Sequence, residues 1–362
     1  MAKLDYKDDV VMRCLLNEAQ QKATDFNAQE IANTLNAMAK LDCKDDTTIQ
    51  CFLHQARQNA SRFNSQDIAN TLNAMAKLDY KDDVVMRCLL NETKQKSTAF
   101  NAQSIANTLN AMAKLQYKDN IAIRCLLHEA KQKATDFNAQ NIANTLNAIA
   151  KLDFKHNQVL QCMLNEARDK IAHFNAQAIA SLYWSMLCMQ VIDHVLLSMC
   201  TQIISSHDLE DEHLSALYMC ERAISIEHPL LTPLLPAEVS NRASRAWWTS
   251  LDTVQSSKLH ADVSSILSAL RVEHVNEAVV SGLSVDILLH GTVDSTGDVV
   301  IEVDGPSHYL RGDGGMSGAT RFKHRMLEKS GVKVLHVPHF EWDDLHNEAA
   351  KKQYMKEMLN TK

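Results

Sequence analysis

FNAQEIANTLNAMAKLDCKDD, residues Phe26–Asp46, decides the architecture because it returns. FNSQDIANTLNAMAKLDYKDD starts at Phe63, FNAQSIANTLNAMAKLQYKDN at Phe100, FNAQNIANTLNAIAKLDFKHN at Phe137 and FNAQAIASLYWSMLCMQ at Phe174. The step is 37 residues each time. A fixed period of roughly 20–50 residues marks a solenoid, whose units bury their apolar faces only against each other. Each unit reads as two helices. Asn27 is placed to cap the first, with Glu30 as its capping-box partner. Ile31, Leu35 and Met38 form one apolar stripe at i, i+4, i+7, and Ala28, Ala32 and Ala39 let a neighbouring helix come close. Leu41–Lys44 is the turn. Asp45 and Asp46 favour the next helix N-terminus, whose buried side is Ile49, Phe52, Leu53 and Ala56.

The 362 residues suffice for such an array plus one small globular domain. No apolar run approaches the roughly 18 residues that span a membrane. Met1 stands where Met38 stands one repeat later, so the chain is expected to begin within a repeat, with no leader visible. Cys14, Cys51, Cys88, Cys125 and Cys162 share one repeat position, which favours small buried residues in a reducing compartment over a disulfide framework. The net charge of −7 argues against indiscriminate nucleic-acid binding. It is uneven: residues 1–190 sum to +2, and the remainder to −9.

The array decays after Phe174, and Glu212–Glu221 resembles one more first helix out of register. We expect a solenoid over residues 1–225, a linker over 226–246 containing Pro229, Pro233 and Pro236, and an α/β domain over 247–362. In that domain Ser257–Val272 reads as a helix and Leu283–Leu289 as a first strand. A turn at Asp294–Asp298, a strand Val299–Val303, a helix Thr320–Ser330 and a strand Val332–Val337 follow. The fold class is thus an α-solenoid of 37-residue helix-turn-helix repeats followed by a small α/β domain.

The repeats resemble the octotricopeptide/heptatricopeptide class. The segment VDILLHG…DVVIEVDGPSHYL…TRFKHRMLEKSGVKVLHVPHFEWDDL resembles a RAP domain, itself related to PD-(D/E)xK nucleases. The resemblance implies a sequence-selective single-stranded RNA-binding protein of a mitochondrion or chloroplast. Its implied work is RNA processing, RNA stability or rRNA maturation, with ribosomal or ribonucleoprotein partners, no membrane, and no cofactor needed for binding. The alternatives are a repeat-guided, Mg-dependent endoribonuclease, a protein-binding scaffold, and a cytoplasmic location.

Comparing the five copies locates a candidate reader. The position after FNAQ changes every time: Glu30, Asp67, Ser104, Asn141, Ala178. Asn33, Asn70, Asn107, Asn144 and Ser181 lie three residues on, and Lys40, Lys77, Lys114 and Lys151 one heptad further. Variable polar, fixed amide and fixed cation on one face suit reading of one base per repeat, with Lys on phosphate. The same variable residue is also the N3 capping position, where all four polar types are acceptable.

In the C-terminal domain Glu302 and Asp304 share a strand face, and Asp286 on the neighbouring strand joins them if the strands pair. Glu277, ahead of the first strand, is a fourth acid. Asp286 and Glu302 are the Mg ligands of the nuclease reading, with His308 as its acid or base. The nuclease resemblance wants Glu-x-Lys where Glu302-Val303-Asp304 stands, so Lys323 is the candidate replacement. In a non-cleaving domain Arg321, Lys323, His324 and Arg325 would contact phosphate.

Overall fold

The computed structural model describes residues 8–205, 209–231, 235–251, 256–290 and 297–360. Pro233 and most of the expected Asp294–Asp298 turn lie outside them. The chain forms two compact units. One is Met1–Ala178 with Leu310–Gly315; the other is Ile179–Tyr309 with Met316–Lys362.

In the first unit the first helices are Ala28–Lys40, Ser65–Lys77, Ala102–Lys114 and Ala139–Lys151. The second helices are Asp46–Gln58, Asp83–Lys96, Asn120–Gln132 and Asn157–Asp169. Asn27 and Glu30 form the full capping box, as do Asn64 and Asp67. Each first helix stops in the same way. Asp42, Asp79, Gln116 and Asp153 take a left-handed φ of 47–54°. After three of them the next N–H returns to the helix, as Cys43 does to Met38 O at 2.9 Å, Tyr80 to Met75 O and Phe154 to Ile149 O. This is a Schellman ending with Asp in place of the usual Gly.

The repeats are clasped by a device the apolar pattern does not reveal. Lys96 Nζ donates to Ser61 O (2.7 Å), in the repeat before, and to Phe63 O (2.9 Å), at the start of its own, and pairs with Glu92 (2.8 Å). Lys133 and Lys170 repeat it on Thr98 and Phe100, and on Thr135 and Phe137. Charge-assisted bonds of this kind contribute about 1.5–3 kcal/mol each. Phe63, Phe100 and Phe137 sit beneath them, fully buried, and truncating such a ring to alanine typically costs about 3–5 kcal/mol. The five repeat-position cysteines are not buried as expected: Cys14 is exposed and the other four are half-buried, and all nine cysteines are free.

Leu310–Gly315 belongs to this unit because Arg311–Gly312 pairs in parallel with Tyr117–Lys118. Arg311 forms an ion pair with Asp83 and donates to Leu115 O at 2.7 Å. Gly312 has φ +78°, and a Cβ there would overlap the Lys118 carbonyl oxygen. Gly312→Ala is therefore expected to undo the pairing, with a strain of roughly 1–3 kcal/mol. Limited proteolysis reads the effect: cleavage within 310–315 should accelerate, and an unchanged cleavage rate would show that the pairing contributes nothing.

The second unit begins earlier than the expected boundary at 225. The last repeat copy, Ala176–Cys188, directs its large side chains into this unit: Trp184 meets Phe322 edge-on at 6.3 Å. Within the expected linker 226–246, residues 237–246 are helical. Ala237–Leu251 is a helix packed on Asp211–Glu227, with Tyr218 stacked on Trp247 at 4.5 Å and Ser240 donating to Glu221 at 2.6 Å.

The sheet has four strands, not three. In order they are Val275–Val280, Leu283–Leu289, Val299–Asp304 and Lys333–Pro338. The first three run antiparallel and the last pair is parallel, joined through the helix Gly318–Lys329. The overlooked edge strand carries Asn276 and Glu277 between its valines on a half-exposed ribbon, so it shows neither a continuous apolar run nor a strict alternation. Glu277 lies inside it rather than before the sheet. Val263, Ile266, Leu267, Ile287, Ile301, Val337, Trp342 and Met355 form the core. Trp342 Nε1 donates to Asp262 at 2.8 Å.

Candidate functional site

The four later variable residues do not lie on an open face. Glu30 is exposed, but Asp67, Ser104, Asn141 and Ala178 are buried, the last four at 4%, 5%, 8% and 2% exposure. Burial is the first cause that raises the Asp67 carboxyl above its ordinary range, against the Asn64 N–H that it accepts. These positions act first as N3 caps inside the array. Asn70, Asn107, Asn144 and Ser181 are half-buried and Asn33 is exposed. Lys40, Lys77 and Lys114 are exposed, and Lys151 is half-buried. From N3 to the terminal Lys is ten residues, about 15 Å along the axis, too far for one nucleotide to touch both. The single reading face is therefore corrected to two separate rims.

At the N-terminal rim a cleft of about 260 Å³ is lined by Asn27, Ala28, Gln29, Asn59, Arg62 and Asp67. Three repeats later five of these positions recur as Asn138, Ala139, Gln140, His173 and Ala178, with Asn175 in addition, around a cleft of about 320 Å³. Their mouths expose a second variable position that the sequence reading missed: Asp25, Arg62, Ala99, Asp136, His173, each just before the Phe. The same internal comparison would have found it.

A third cleft, of about 620 Å³, is lined by Arg124, His128, Lys131, Gln132, Phe154, Lys155, His156, Gln158 and Val159. Five of its residues carry basic groups, one is aromatic and none is acidic. Lys155 and Phe154 follow the end of a first helix, so this cleft continues the rim that carries Lys114 and Lys151.

The acids of the second unit separate into two clusters. Glu302 is fully buried. Lys323 Nζ meets its Oε2 at 2.6 Å, and Oε1 has no hydrogen-bond partner. Burial pushes the Glu302 carboxyl up to about 7, with Lys323 pulling it down and Asp286 pushing it further up. Asp286 Oδ2 accepts the Val303 N–H at 2.6 Å. Asp304, also fully buried, faces three imidazoles: His308 Nδ1 at 2.8 Å, His336 Nδ1 at 3.3 Å and His324 Nε2 at 3.4 Å. Burial works against its ionisation, but the three histidines outweigh this and hold the carboxyl well below its ordinary range. Glu277 pairs with His260 at 3.0 Å, and both bring a ligand atom within 4.8 Å of one on Asp286.

The sequence placed Lys323 beside the acids, and it does reach Glu302. Three of the four basic residues expected on phosphate are instead engaged inside the unit. His324 is buried against Asp304. Arg325 donates to Leu187 O (2.8 Å) and Cys188 O (3.0 Å) and pairs with Glu227 at 2.9 Å. Only Arg321 is exposed. A magnesium ion of the nuclease kind would rest on Asp286 and Glu302. The single orphaned oxygen there belongs to a carboxyl that is shifted toward its neutral form and held by a lysine. That is a poor match to a hard cation seeking several oxygens in octahedral array.

The RNA-editing substrate-binding complex 6 protein family matches residues 1–194, more than half of the chain. The chain belongs to that family. The RAP domain matches residues 301–358, which hold most of the third strand, the fourth strand, the helix between them, and Trp342. A chloroplastic RAP domain-containing protein of Oryza sativa subsp. japonica is 26% identical over 146 residues, 40% of this chain. The chain spans 22% of that relative's length. Among the described residues no helix is long and apolar enough to cross a membrane.

Proposed function

We propose that this protein binds single-stranded RNA along its repeat array and acts in the maturation or stability of organellar RNA. The observation that carries the reading is the basic cleft of Arg124, His128, Lys131, Lys155 and His156 with Phe154 at its wall. Cations beside an aromatic ring suit a phosphate chain whose neighbouring base stacks. Membership in an RNA-editing family and the likeness to a chloroplastic protein support the same choice and the organellar address. Base selection falls to the N-terminal clefts, through exposed Gln29, Gln140, Arg62 and His173 rather than through buried Asn141. The test is crosslinking of the protein to RNA in its own cell and sequencing of what is bound. A recurring single-stranded segment is expected; recovery of no RNA above background would sink the reading in favour of a protein-binding scaffold.

The contact of Lys323 with Glu302 favours a second reading, a guided endoribonuclease. We expect purified protein to leave its bound RNA intact in Mg²⁺ or Mn²⁺. Cleavage that disappears in Glu302→Gln, with the unfolding midpoint retained, would establish the enzyme instead.

A further inference from the structure

Three polar atoms without hydrogen-bond partners converge inside the second unit: Asp304 Oδ2, His324 Nε2 and His336 Nδ1. One ligand atom from each of Asp304, His324 and His336 lies within 4.8 Å of the other two. Buried polar atoms are ordinarily paired, so three orphans aimed at one point call for something between them. The separations say what. His336 Nδ1 stands 3.3 Å from Asp304 Oδ2, and His324 Nε2 stands 3.4 Å from Oδ1. Neither contact has hydrogen-bond geometry. The His336–Oδ2 separation matches the edge of a tetrahedron with metal–ligand bonds of about 2.0–2.1 Å, an edge of about 3.3–3.4 Å, and His324 Nε2 comes in beside the other oxygen of the same carboxylate.

The donor set points the same way. Two imidazole nitrogens and one carboxylate suit zinc, whereas magnesium wants oxygen alone. His308 Nδ1 donates to Asp304 Oδ1 at 2.8 Å. That bond orients the carboxylate and leaves Oδ2 facing His336, as partners of metal ligands commonly do. We propose that Asp304, His324 and His336 bind one zinc ion, with a fourth position open to water. The ligands come from the strand Val299–Asp304, the helix Gly318–Lys329 and the strand Lys333–Pro338. The ion therefore pins the crossover that joins the two parallel strands. This site is separate from the Asp286–Glu302–Lys323 cluster and from the RNA clefts, so it stands or falls independently of RNA binding.

The test titrates the purified full chain with Zn²⁺ against a competing chelator, and with Co²⁺ read by its visible absorption. One site per chain is expected, with Zn²⁺ raising the unfolding midpoint. His336→Gln should weaken binding at least about tenfold and abolish the midpoint shift, and His308→Ala should weaken it about tenfold through loss of orientation. His324→Gln removes a buried ligand and should do the same. If that variant does not fold, His336, 30% exposed, carries the test. Absence of zinc binding by the wild type would overturn the proposal. So would equal affinity in His336→Gln, or cobalt absorption of the thiolate type, which would place the ion on cysteines.

Discussion

Arg325→Ala is expected to destabilise the protein by about 3–5 kcal/mol while leaving the salt dependence of RNA binding unchanged. Glu227 is nearly fully buried, at 3% side-chain exposure, between Arg325 and the more exposed Lys329. Burial opposes its charge, but hydrogen bonds and attraction from Lys329 and Arg325 outweigh that and hold the carboxyl below its ordinary value. Removing the guanidinium leaves a carboxylate facing only Lys329, and frees the carbonyls of Leu187 and Cys188. The pH dependence follows from the sign of the shift. A carboxyl with a depressed folded pKa contributes stability above its unfolded pKa, near 4.5, and loses it as pH falls. The gap between wild type and Arg325→Ala should therefore be full at pH 7 and shrink below pH about 4.5. Lys329→Ala, at an exposed position, should cost no more than about 1 kcal/mol. Denaturant unfolding at both pH values measures this. Unchanged stability with weakened RNA binding would return Arg325 to the phosphate-contacting role that its place in a Lys/Arg helix suggests.

Changing Arg124, Lys131 and Lys155 together to Gln should flatten the salt dependence of RNA binding. Each phosphate contact to a single strand contributes about −0.7 to the slope of log K against log salt. Three lost contacts should thus make the slope shallower by about 2, with the largest affinity loss at low salt. All three side chains are exposed on second helices or turns, so folding should be unaffected. Changing Lys40, Lys77, Lys114 and Lys151 to Gln samples the same rim along more repeats and should lower the slope further. A slope that both sets leave unchanged would move the RNA path off this rim, with the N-terminal clefts as the remaining surface.

The repeat array was legible in the sequence because its information is local and periodic. Asn27 caps, Ile31, Leu35 and Met38 form a stripe, Asp45 opens the second helix, and the same letters return 37 residues later. No distant contact is needed to specify those helices, only a neighbour of the same kind. The RAP-type strands were legible wherever an apolar, β-branched run marked them, as in Leu283–Leu289. The edge strand Val275–Val280 escaped because Asn276 and Glu277 interrupt its valines, leaving neither a long apolar run nor a strict alternation.

What only the tertiary structure decided is where side chains lead. Asn141 and its equivalents look like open polar positions in the sequence, yet all but Glu30 are buried at the caps. Lys96, Lys133 and Lys170 look like solvated charges, yet each holds two carbonyls where its own repeat meets the one before. Lys323, His324 and Arg325 are adjacent in sequence and alike in charge. Successive helix residues point about 100° apart, so one meets Glu302, one Asp304 and one Glu227. Sequence alone determined that this is an array of helical repeats ending in an α/β domain. Which cations remain available to a phosphate, and which histidines gather around Asp304, depends on burial and on partners far along the chain. Those are set only when the elements pack.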